Sequence, residues 1–157
     1  MENKLTLFRV WIDADSCPTM VRDFVLRYSN KLSLPVTFVA NKKINSKEKI
    51  NYEMIICAQE KDAADNYILS HAEANDLVIT RDIVFADKLV EKNICCINDR
   101  GTVFTSENIK ELLSERNFDF ELAQIGLVQH FNEGYDKQKF AQFANCFDKI
   151  IHQKLKN

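Results

Sequence analysis

Short apolar runs alternate with amphipathic stretches from the start of the chain to about residue 100. The runs at 8–12, 36–40, 54–57, 77–80 and 94–97 read as strands. They are nearly continuous in apolar residues, the pattern of parallel strands covered on both faces. Between them the spacing turns helical. Met20, Val21, Phe24, Val25 and Tyr28 form one apolar stripe, with Arg22, Asp23 and Arg27 turned away. Pro18 suits the first position of that helix, where its missing N–H costs nothing. A later helix carries Ile83, Ala86, Leu89 and Val90 on one side and Asp87, Lys88, Glu91 and Lys92 on the other.

Strand–helix alternation of this kind predicts an α/β domain, a parallel sheet with helices on both faces. Residues 41–51 break the pattern: they are polar, carry Lys42, Lys43, Lys47 and Lys49, and read as a loop. After Gly101 the chain becomes helical, with Thr105 or Ser106 capping a helix through Arg116. The last helix stacks Phe140, Phe143, Ala144, Phe147 and Ile151, a face expected to dock on the core, with a dimer contact as the alternative. The expected organisation is one domain over 1–157: a core of about 8–116 and C-terminal helices over about 117–156.

Composition narrows this only a little. At 157 residues and 46% hydrophobic, the chain can bury a real core. No stretch approaches the roughly 18 apolar residues needed to cross a bilayer. The opening MENKLTLFRVWID lacks a signal-peptide layout, so no membrane association and a cytosolic location are expected. Cys17, Cys57, Cys95, Cys96 and Cys146 are odd in number and show no CxxC spacing, which predicts reduced structural thiols. His71, His130 and His152 have no ligand spacing, so zinc lacks support. A net charge of −2 argues against bulk nucleic-acid binding, but leaves room for an enzyme with a few local phosphate contacts.

Candidate chemistry comes from the strand ends. In open α/β sheets ligands sit outside the carboxyl ends of the strands. The first strand runs into Asp13-Ala14-Asp15, the fourth ends in Thr80-Arg81-Asp82, and the second helix opens with Asp62-Ala63-Ala64-Asp65. Carboxylates gathered at one edge repel unless protonated or bridged by a cation, and hard oxygen ligands suit Mg²⁺ or Mn²⁺. Asp15, Asp62 and Asp82 also stand where helix caps occur, which makes Asp65 the inward-facing member of its pair and Asp87 a solvated residue. Arg81, Arg100, Lys42 and Lys43 are candidate phosphate contacts along the same edge. GxGxxG and P-loop motifs are absent, so dinucleotide and NTP-hydrolase readings lose their main support.

The motifs DADSCP (13–18), D-x-x-D (62–65), DLVITRDI (76–83), NDRG (98–101) and TSENI (105–109) occur in one order. Together, over about residues 8–150, they resemble the YaiI/YqxD family of bacterial proteins. The resemblance implies a three-layer PIN-like domain with a central parallel sheet of order 3-2-1-4-5. Better-known relatives of that fold are Mg²⁺-dependent nucleases acting on RNA or flapped DNA. By motif position it implies Asp13, Asp65 and Asp82 as core metal ligands and catalytic carboxylates, with Asp15 and Asp62 supporting. Two features depart from the pattern: residues 127–134 replace a Gly/Pro-rich stretch, and the helix acid is spaced differently from typical PIN nucleases.

Three functions compete at this point. The leading one is a divalent-metal-dependent phosphodiesterase or nuclease acting on RNA or another phosphate-containing substrate, as a monomer or homodimer. The second is a haloacid-dehalogenase-type phosphatase, with Asp13 as nucleophile, Asp15 as acid, and Asp82 and Asp87 in the metal motif; no Lys stands convincingly between those motifs. The third is a non-catalytic metal- or RNA-binding module.

Overall fold

The computed structural model describes residues 8–44, 52–60, 62–127 and 134–156. Its sheet has the order β3-β2-β1-β4-β5-β6. Strands β1 (Val10–Asp13), β2 (Val36–Ala40), β3 (Glu53–Ile56), β4 (Leu77–Ile79) and β5 (Cys95–Ile97) all run parallel, as the apolar runs predict. The sixth strand, β6 (Val103–Phe104), pairs antiparallel with β5. It lies outside the expected order because two residues, one of them exposed, leave no periodic signal.

Alternation along the strands sorts side chains onto two faces. Val10, Ile12, Phe38, Leu77 and Ile79 meet α1 (Thr19–Lys31) and α5 (Lys137–Lys156), the latter through Phe143, Phe147, Ile150 and Ile151. Trp11, Val39, Val78 and Cys96 meet α2 (Ala63–His71), α3 (Ile83–Glu91) and the start of α4 (Ile109–Gln124). The result is three layers. β1, β2 and β4 are buried at every position, so their sequences carry no polar face to alternate.

Several boundaries shift. Pro18 is the N-cap of α1, one residue before the helix, and Met20 is exposed where Leu26 is buried in the stripe. α4 begins at Ile109 and continues past Arg116 to Gln124. Its start is delayed because Thr105 and Asn108 exchange hydrogen bonds: the Asn108 amide donates to Thr105 Oγ1, and the Thr105 amide donates to Asn108 Oδ1. The far half of α4 packs on little, and Phe118, Phe120, Ile125 and Leu127 are exposed there and just beyond. Lys47, Lys49, His130 and most of 127–134 lie outside the described residues. No helix among the described residues is long and apolar enough to cross a membrane. All five cysteines are free, and burial pushes the Cys17 and Cys96 thiols far above their usual range, as expected of inert packing thiols.

At the amino ends of β1 and β4, Asp76 is 6% exposed. It accepts hydrogen bonds from the Arg9 amide (2.8 Å), the Glu73 amide (2.9 Å) and the Trp11 indole N–H (2.9 Å). This ties the incoming chain, the α2–β4 turn and a core aromatic to one carboxylate.

Candidate functional site

The sheet turns back on itself at β1: β2 and β3 lie on one side, β4 and β5 on the other. At such a switch point the connections diverge and open a crevice beyond the carboxyl ends of the strands. Asp13 ends β1 and Asp82 follows β4, so the two stand on either side of that crevice. Asp13 shares its parity with Trp11, which packs toward α2 and α3. Those helices bring the other acids.

One carboxylate oxygen from each of Asp62, Asp65 and Asp82 lies within 4.8 Å of the other two. The three arrive by different routes. Asp62 has the left-handed backbone (φ 64°) before α2, and its side chain makes no cap hydrogen bond. The expectation that it caps α2 is therefore corrected: the carboxylate joins Asp65, one turn on, at the cluster. Asp82 is the residue that does cap. Its Oδ1 accepts the Val84 (2.9 Å) and Phe85 (3.2 Å) amides of α3, which fixes the carboxyl group. Asp15 does not cap α1; its Oδ2 accepts the Asn41 amide at 2.7 Å and so ties the end of β2 to the turn after β1.

Asp13 lies beneath this triad, 8% exposed, with Oδ2 accepting from Thr80 Oγ1 at 2.8 Å. Burial, reinforced by Asp15 and Asp82, pushes its carboxyl up to about 6, against the pull of the Thr80 and Ser16 hydroxyls. Asp65 is pushed up to about 7, again by burial first and then by Asp13, Asp82 and Asp62. In both, burial acts first and the neighbouring carboxylates add to it. The donor set fits a hard divalent cation. It contains oxygens only, the ligand type that Mg²⁺ and Mn²⁺ prefer.

The other face of the same strand ends is cationic. Arg81 Nε donates to Asp99 Oδ2 at 3.0 Å, and Arg81 Nη2 donates to the same oxygen. Asp99, at the end of β5, is buried, and the Tyr135 hydroxyl donates to its backbone carbonyl. The turn that follows is drawn tight by Asn98 Oδ1, which accepts the Arg100 and Thr102 amides (2.9 Å each). Gly101, at φ +86°, closes it against α5: a Cβ there would stand 2.5 Å from the Gln142 carbonyl oxygen. Arg100 is exposed beside this turn, and Lys42 and Lys43 are exposed just past β2. Asp87 is drawn away from the crevice by Lys110, 2.8 Å from its Oδ1.

Residue-by-residue reading missed Thr80 and Asp99. Both had a signal: each is a polar residue following an apolar strand, as Asp13 is, and each lies inside a quoted motif.

Comparison with known proteins agrees with these motifs. The family model described as "Uncharacterized BCR, YaiI/YqxD family" matches residues 11–153. A UPF0178 protein of Treponema denticola is 39% identical over 148 residues, covering 94% of each chain. One of Treponema pallidum is 41% identical over 140 residues, covering 89% of this chain and 79% of that protein. One of Psychromonas ingrahamii is 38% identical over 147 residues, covering 94% and 97%. No solved structure matches the chain. The chain belongs to the YaiI/YqxD family.

Proposed function

From that membership we propose that this chain is a divalent-metal-dependent phosphodiesterase or nuclease of PIN-like type, acting on RNA in preference to DNA. The observation that carries the reading is the Asp62–Asp65–Asp82 triad at the switch point, with buried Asp13 beneath it. Mg²⁺ or Mn²⁺ bound there supplies a polarised water and neutralises charge on a phosphoryl group. Asp62, Asp65 and Asp82 offer the ligand oxygens. Asp13, oriented by Thr80, adds negative charge at the floor of the site. Arg81, Arg100, Lys42 and Lys43 line the edge where phosphates of a strand would lie, local contacts that suit a chain whose net charge is −2. A phosphatase using Asp13 as nucleophile draws less support, since Asp87, which its metal motif would need, is held by Lys110.

The test is incubation of purified protein with single-stranded RNA or DNA and either metal. Cleavage is expected with RNA, falling to background in chelator, in Asp65→Asn and in Asp82→Asn. In parallel, metal at a hundred times its dissociation constant is expected to stabilise the fold by about 2.7 kcal/mol, measured by thermal melting, and Asp65→Asn should remove the gain. If neither metal supports cleavage and Asp13→Asn matches the parent, the nuclease reading fails. Metal-dependent melting without turnover would point to a non-catalytic metal-binding module.

A further inference from the structure

We propose that Asp99 is a positioning residue that holds the Arg81 guanidinium ready to receive a phosphate of the substrate. This rests on the phosphodiesterase reading and deepens it by naming what sets its phosphate contact. The pair is asymmetric: the Asp99 side chain is 3% exposed and the Arg81 side chain 47%. A buried carboxylate gives up its hydration, and a half-exposed partner, screened by solvent, returns only part of that loss. As a stabilising device the arrangement is poor. What it achieves is orientation.

Arg81 Nε and Nη2 both point to Asp99 Oδ2, so one edge of the planar fork is anchored and the plane is fixed. Nη1 makes no hydrogen bond among the described residues, and the side chain is 47% exposed. Arg81 directly precedes Asp82 of the carboxylate triad, and the two have different partners: Arg81 takes Asp99, while Asp82 takes the first amides of α3. A phosphodiester lying across the ends of β1, β4 and β5 would meet the triad on one side and the anchored guanidinium on the other. Asp99 is not one of the three clustered acids. It adjoins Tyr135 and the NDRG turn on the α5 side, so its part is to hold Arg81 and not to bind the cation. A freely rotating arginine would lose conformational freedom on binding; one held in advance loses little.

The experiment follows the Arg81 Nε–Hε signal in ¹H–¹⁵N spectra of metal-free protein during titration with inorganic phosphate, with chloride at equal ionic strength as control. Phosphate is expected to move the signal, and chloride to leave it in place. Asp99→Asn should weaken phosphate binding about fivefold to tenfold, roughly one oriented charge-assisted hydrogen bond. Its Mn²⁺ affinity, measured by calorimetry, should match the parent. The wild-type titration needs no variant, so misfolding of Asp99→Asn cannot shield the idea. A signal that ignores phosphate overturns it, as does phosphate binding by a folded Asp99→Asn equal to wild type. If phosphate moves the signal and no nucleic acid is cleaved, the nuclease reading falls and the positioning role stands. If RNA is cleaved while the signal stays put, the positioning role falls alone.

Discussion

Two buried aspartates sit at opposite ends of the β1–β4 strand pair, and they live in opposite surroundings. Asp76, at the amino end, meets three N–H donors. Asp13, at the carboxyl end, meets one threonine hydroxyl on Oδ2, a nearby serine, and a group of other carboxylates. Their exposures, 6% and 8%, barely differ. Burial of a charge therefore does not mark function by itself. What marks it is whether the fold supplies donors to match, and at Asp13 it supplies too few.

The contrast can be broken most forcefully at the Asp76 end. Asp76→Ala leaves three donors, including the Trp11 indole, without an acceptor, and should cost about 3–5 kcal/mol in chemical denaturation. A loss under about 1 kcal/mol would show that the carboxylate is not the tie it resembles. At the other end the sign reverses. The native state holds the Asp13 proton to about pH 6, the unfolded chain only to about 3.8, so folding takes up a proton between those values. Stability contributed by Asp13 is present at low pH and is lost as pH rises through 6. Asp13→Asn should accordingly stabilise metal-free protein at pH 8 by about 3 kcal/mol and flatten the decline between pH 4 and 6, as read from denaturation at a series of pH values. Destabilisation at pH 8 would mean that Asp13 is as well served as Asp76. The smallest effect sharpens the comparison: Thr80→Val removes one of the few donors Asp13 has. It should raise the Asp13 midpoint further, visible by carboxyl ¹³C titration, at a cost of about 1 kcal/mol.

The parallel strands were legible because strands covered on both faces become apolar runs, and β2 matches its run residue for residue. The antiparallel β6 was not, since pairing at an edge requires only backbone. The strand-end rule pointed to Asp13, Asp65 and Asp82, and capping propensity gave Asp62 its N-cap position but not its side-chain partner. A left-handed residue before α2 is a matter of how the β3–α2 turn closes, which residue type alone does not specify. Asp99 escaped for a related reason. Its role depends on Arg81, 18 positions away in sequence, and only the β4–β5 pairing brings the two side by side.

The contact between Gly101 and Gln142 also bears on when the site comes into being. All five parallel strands and the four acids of the crevice precede α5 in the chain. A nascent chain lacking α5 can in principle lay down the sheet and gather those acids. The turn carrying Asp99 is seated only when α5 docks, bringing Gln142 against Gly101 and Tyr135 onto the Asp99 carbonyl. The cationic half of the crevice thus rests on the last helix, through Gln142 at the turn and Tyr135 at the Asp99 carbonyl.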